Sequence, residues 1–149
     1  MPDLRELYQE VILDHSKRPR NFRKPEGPNR HADGYNPLCG DKVTVYLTIS
    51  DGVVSDAAFQ GSGCAISTAS ASMMTESLKG KTVEEAEAMF ERFHGMLTSP
   101  DDAAPAPPEL GKLAVFSGVK EFPMRVKCAT LAWHTLRSAL SGTGEAVTE

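Results

Sequence analysis

Lys42-Val-Thr-Val-Tyr-Leu-Thr-Ile-Ser-Asp-Gly-Val-Val-Ser-Asp-Ala-Ala-Phe59 is the stretch on which the fold turns. Val43, Val45, Leu47 and Ile49 alternate with Lys42, Thr44, Tyr46 and Thr48. Successive side chains of a strand point to opposite faces, so this alternation marks a half-buried strand. Asp51-Gly52 is a dipeptide favoured in a type I′ turn, and Val53 to Phe59 supplies the return strand. The centre of the chain is therefore an antiparallel hairpin.

Helical patterns flank it on both sides. Leu4, Leu7, Tyr8, Val11 and Ile12 form the apolar stripe of an amphipathic helix running to His15. Pro19 stops that helix, and Pro25 and Pro28 predict irregular chain up to the hairpin. Beyond the hairpin, Ala65 to Lys79 is rich in Ala and Ser and reads as a helix with small residues towards the sheet, with Gly80 as its C-terminal cap. Thr82-Val-Glu-Glu85 is a capping box, opening a helix striped by Val83, Ala86, Phe90, Phe93 and Leu97. Ser99 to Pro108 is a proline-rich loop, and Glu109 to Ser117 a short helix ending at Gly118. A last helix starts near Met124, after Pro123, and buries Ala129, Ala132, Trp133, Leu136 and Leu140. Residues 142–149 are expected to fray. The order of elements predicts a single α+β domain over residues 1–149, a small antiparallel sheet packed against a layer of helices.

The composition narrows the function. With 149 residues, 40% hydrophobic and 24% charged, the chain is long enough to bury a real core. A net charge of −4 argues against a nucleic-acid partner. No basic segment precedes an apolar run and no stretch approaches 18 apolar residues, so neither a signal peptide nor a membrane partner is expected. Three cysteines in such a chain read as reduced thiols in the cytoplasm.

Those cysteines carry the chemical signal. Cys39 lies in Asn36-Pro-Leu-Cys39-Gly-Asp41, Cys64 in Gly61-Ser-Gly-Cys64-Ala-Ile, and Cys128 in Arg125-Val-Lys-Cys128-Ala. If the first segment is extended, Cys39 and Asp41 share one face, with Gly40 leaving the approach open. Cys64 just precedes a helix and Cys128 lies in the first turns of another, settings that favour thiolate, and Arg125 and Lys127 add positive charge. Three thiolates and a carboxylate can fill the corners of a tetrahedral metal site. Each cysteine taken singly can equally be a small buried hydrophobe, and no Cys-x-x-Cys pair is present.

The other candidates say less. His15 reads as a helix-dipole partner or surface residue, His31 and His94 as loop and helix-end residues, and His134 as solvent-facing. Gly61-Ser-Gly63 lacks the third glycine and the βαβ setting of a dinucleotide loop. Arg18, Arg20 and Lys24 form a solvated cationic surface or a dock for an acidic partner.

Taken in order, Tyr8-Gln-Glu-Val-Ile-Leu-Asp14-His15 with Pro19-Arg20-Asn21, then Asn36-Pro-Leu-Cys39-Gly-Asp41, Gly61-Ser-Gly-Cys64-Ala-Ile-Ser-Thr-Ala-Ser, and Arg125-Val-Lys-Cys128-Ala-Thr-Leu-Ala-Trp133 closely resemble the IscU/SufU (NifU N-terminal) family of iron–sulfur cluster assembly proteins. The resemblance covers about residues 4 to 140. It implies the family's α+β fold, with Cys39, Asp41, Cys64 and Cys128 converging near one surface as metal ligands. Two departures point to the SufU branch. Lys127 stands where the classical scaffolds have a histidine, leaving Asp41 as the fourth ligand, and Phe122-Pro-Met-Arg125-Val-Lys does not reproduce their chaperone-docking motif. Residues 101–119 resemble the loop and helix inserted in that branch.

What the resemblance implies is a zinc-dependent sulfurtransferase. It would accept persulfide sulfur from a SufS-type cysteine desulfurase and relay it, with other Suf components as further partners. Cys39 would be the acceptor, with Cys128 the next candidate, and Arg125 would stabilise the developing charge. The alternatives are a scaffold holding iron or a [2Fe–2S] cluster on the same four residues, and an adaptor with a purely structural zinc.

Overall fold

Asp51 and Gly52 both take positive φ, 53° and 76°, as a two-residue type I′ turn requires. In the computed structural model they join β2 (Asp41–Ser50) to β3 (Val53–Ser62). The structure describes residues 4–25, 27, 30–37, 40–98, 108–121, 123–141 and 145–147. The ladder is antiparallel from Lys42 opposite Ser62 to Ser50 opposite Val53, with one irregularity at Thr48/Ile49. Val43, Val45 and Leu47 are buried, as their alternation requires.

Two strands were not legible as such. β1 (Arg30–Asn36) occupies chain that the prolines suggested was irregular, and pairs antiparallel with β2, Arg30 opposite Leu47 through Asn36 opposite Asp41. His31 therefore sits on a strand rather than in a loop. Within the stretch expected to fray, β4 (Glu145–Val147) pairs in parallel with β1. The sheet order is β3-β2-β1-β4, three antiparallel strands with a short parallel edge.

The helices are α1 (Leu4–Lys17), α2 (Ala65–Leu78), α3 (Val83–Thr98) and α4 (Pro123–Ser141). Between α3 and α4 lies a 3-10 helix (Pro108–Glu121), broken at Gly111, where a plain short helix was expected. The capping box forms as written: Glu85 N–H donates to Thr82 Oγ1 at 3.0 Å and Thr82 N–H to Glu85 Oε1 at 3.2 Å. Pro123 opens α4 at the position where its missing N–H costs nothing.

The small residues of α2 do more than face the sheet. Ser70 Oγ donates to the Ala129 carbonyl of α4 at 2.5 Å and accepts from Trp133 Nε1 at 3.1 Å. On the opposite side, Ser72 Oγ meets His15 Nδ1 of α1 at 2.8 Å and accepts the Arg20 N–H at 2.8 Å. α2 is thus the central helix, and its short side chains let α1 and α4 approach while satisfying each other's polar groups. Trp133 is wholly buried and stacks on Phe93 with centroids 4.5 Å apart.

Two histidines sit elsewhere than expected. His15 is buried at the α1–α2 contact. His134 is half-buried rather than solvent-facing, edge-on to both Phe90 and His94. No described helix is long and apolar enough to cross a membrane.

Candidate metal centre

The ends of four elements meet at one place. Asn36, the last residue of β1, pairs across the ladder with Asp41, the first of β2. Cross-strand partners share a face, and both side chains are buried, Asn36 at 0% exposure and Asp41 at 2%. The four-residue connection between them closes with Gly40 N–H donating to the Asn36 carbonyl at 2.8 Å. Cys39 belongs to that connection and lies outside the described residues. Two residues after β3, Cys64 is the N-cap of α2, its Sγ accepting the Ser67 N–H at 3.4 Å. Cys128 lies in the second turn of α4.

Ligand atoms of Asp41, Cys64 and Cys128 all lie within 4.8 Å of one another. Asp41 holds its carboxylate by one oxygen: Oδ1 accepts the Cys64 N–H at 2.9 Å, while Oδ2 stands 3.6 Å from Cys64 Sγ. Bonds of about 2.3 Å to sulfur and about 2.1 Å to oxygen, at the tetrahedral angle, separate two such donors by about 3.6 Å. The donor set, and the Asp41–Cys64 spacing within it, therefore fit a zinc-like ion. Among the described residues no other group of three His, Cys, Asp or Glu side chains comes this close.

Two small features protect the arrangement. A Cβ on Gly63 would lie 2.8 Å from Asp41 Oδ1, so only glycine lets the chain pass beneath the carboxylate. Asn36 Nδ2 lies 4.0 Å from Cys128 Sγ, a contact that the cysteine spacing gave no reason to look for. Its only signal was its place three residues before Cys39-Gly-Asp41.

Exposure separates the sulfurs. Cys64 is exposed, whereas Cys128 is only 4% exposed. Arg125 is exposed in the first turn of α4 and Lys127 is half-buried. His15 is not brought into the group, being engaged by Ser72 on Nδ1 and facing Glu76 Oε1 at 3.6 Å on Nε2. Ser72, His15 and Glu76 have the look of a hydrolytic triad, but Ser72 is wholly buried and no substrate could reach it.

The profile of the NifU-like N-terminal domain matches residues 7–140. The chain belongs to that family. Its relatives include the iron–sulfur cluster assembly scaffold protein IscU of Streptococcus pyogenes serotype M1, 41% identical over 96% of this chain and 88% of the relative. They also include the zinc-dependent sulfurtransferase SufU of Bacillus subtilis strain 168, 41% identical over 91% of this chain and 90% of the relative. Among solved structures, a SUF-system cluster assembly scaffold protein from Fervidobacterium islandicum AW-1 superposes with a TM-score of 0.81 at 39% identity, covering 91% of this chain and 97% of that one. The NifU-like fold and the family's link to iron–sulfur cluster assembly thus hold for this chain. Relatives bearing a scaffold name and a sulfurtransferase name are equally similar to it.

Proposed function

We propose that the protein is a zinc-dependent sulfurtransferase that accepts persulfide sulfur from a SufS-type cysteine desulfurase and relays it towards cluster assembly. The observation that carries this reading is the approach of Asp41, Cys64 and Cys128 to within 4.8 Å, with a carboxylate oxygen and a sulfur 3.6 Å apart. Cys39, joined to Asp41 through Gly40, completes the set. A bound zinc ion keeps its cysteine ligands deprotonated and, being redox-silent, does not oxidise them.

The residues then divide the work. Cys39 is the acceptor: its thiolate attacks the outer sulfur of the desulfurase persulfide. A new S–S bond forms at Cys39 as the old one breaks, and the desulfurase cysteine leaves as a thiolate. Sulfur is transferred with no net oxidation. Arg125, exposed near the start of α4, offsets the negative charge shared between the two sulfurs. Cys128, at 4% exposure, is shielded from a partner's sulfur, which supports a holding role for it rather than an accepting one.

The 41% identity to an IscU scaffold favours a second reading, in which the same four residues build and pass on a [2Fe–2S] cluster as cargo. Two assays separate them. Anaerobic reconstitution with iron and sulfide should leave the protein colourless with zinc bound, whereas a stable visible chromophore supports the scaffold. The zinc-loaded protein should accelerate a SufS-type desulfurase, and Cys39→Ala should abolish that effect. Acceleration retained by Cys39→Ala removes Cys39 from the role.

A further inference from the structure

The Asn36 carboxamide is wholly buried, at the end of β1, on the face it shares with Asp41. A primary amide taken out of water costs free energy unless its N–H groups find acceptors. Its Nδ2 stands 4.0 Å from Cys128 Sγ, the long end of the range for N–H···S contacts. The three described ligands differ in their surroundings. Cys64 is exposed, so water solvates its sulfur, and it also has the Ser67 N–H. Asp41 has the Cys64 N–H. At 4% exposure, Cys128 has little access to water to offset a thiolate charge.

We propose that Asn36 is a positioning residue for the metal site, donating an N–H···S hydrogen bond that holds the Cys128 thiolate and draws electron density from it. The inference rests on the metal-binding reading above. A neutral donor suits the place: it offsets thiolate charge without adding a buried cation, and its neighbour across the ladder is itself a ligand. The three described ligand side chains then each have an N–H donor of their own, two from the α2 N-terminus and one from β1. Hydrogen bonds of this kind typically change metal affinity about 10- to 100-fold. They also stabilise sulfur lone pairs, which raises the energy of sulfur-to-metal charge transfer.

The test compares the full chain and its Asn36→Ala variant, each loaded with Co²⁺ and each titrated with Zn²⁺ against a competing chelator. The variant should bind Zn²⁺ about 10- to 100-fold more weakly, and its sulfur-to-cobalt band should move to longer wavelength. An unchanged band with unchanged affinity overturns the proposal and leaves the metal site standing. Weaker binding with an unmoved band overturns it too, because loss of packing alone lowers affinity without altering the sulfur. If the unaltered protein shows neither tight zinc nor a sulfur-to-cobalt band, the metal reading fails and Asn36 falls with it. Should Asn36→Ala not fold, ¹¹³Cd-loaded unaltered protein decides: coupling between the metal and the Asn36 amide protons across the sulfur is expected, and its absence overturns the assignment.

Discussion

Asp41 shows how much one side chain can be asked to do. One carboxylate oxygen is fixed by the Cys64 N–H at 2.9 Å, which aims the other at the sulfurs. Gly63 leaves room for this, so Gly63→Ala should push the carboxylate aside. Zinc affinity measured by chelator competition should fall at least about tenfold, the scale on which ligand-orienting groups act; unchanged affinity would show that the carboxylate has space to spare. His15 carries a second prediction at this scale. Burial holds its imidazole below the usual value; the charge of Arg20 acts in the same direction, and those of Glu76 and Asp14 oppose it. Ser72 accepts the Arg20 N–H, which leaves its own proton available to the Nδ1 of a neutral His15 ring. With the folded value depressed, the unfolded chain takes up the proton first, so stability falls as pH drops through about 6.5 and the loss levels off once the folded ring also protonates. His134 is shifted the same way by burial, with His94 and Arg137 adding to it. Urea midpoints from pH 8 to pH 5 should thus decline, and His15→Gln should flatten the decline without abolishing it. An identical slope in the variant would contradict the buried neutral imidazole.

At the scale of elements, the sequence was plainest where a local rule decides the outcome. The alternation of Val43 to Ile49, the Asp51-Gly52 turn, the Thr82–Glu85 box and the proline that opens α4 each answer to a few neighbouring residues, and each formed. Removing the cap with Thr82→Ala should cost about 1 kcal/mol in denaturant unfolding. β1 was illegible because its alternation hides behind small and polar residues: Ala32, Gly34 and Asn36 point inward, and none announces an apolar face. The reason lies in packing. A Cβ on Gly34 would fall 1.9 Å from Thr135 Oγ1 on α4, so the strand must be bare there. Gly34→Ala should therefore destabilise the fold by about 1–3 kcal/mol, the usual cost of overpacking, and a thermal midpoint equal to that of the unaltered protein would refute that contact. β4 was illegible for another reason, since its three residues take their register from β1 rather than from any pattern of their own.

For the whole molecule, the metal-capable group does what no single element does. Asp41 begins a strand, Cys64 caps α2 and Cys128 rides on α4, so one ion would tie the sheet to two helices. The residue types were legible in the sequence because thiols and a carboxylate have few reasons to sit beside glycines. Their meeting was not, since 63 residues separate Cys64 from Cys128 and only the fold closes that distance. An ion bound to the folded state alone stabilises it by about 4 kcal/mol when free zinc stands a thousandfold above the dissociation constant. Chelation should then lower the thermal midpoint by about 10 °C for a chain of this size, read by calorimetry with and without chelator.

The most direct test of the site is X-ray absorption at the zinc edge of the full chain. Three sulfurs at about 2.3 Å and one oxygen at about 2.0 Å should surround the metal, with Cys39→Ala losing one sulfur. A shell with fewer than three sulfurs in the unaltered protein, or one that Cys39→Ala leaves intact, would contradict the account.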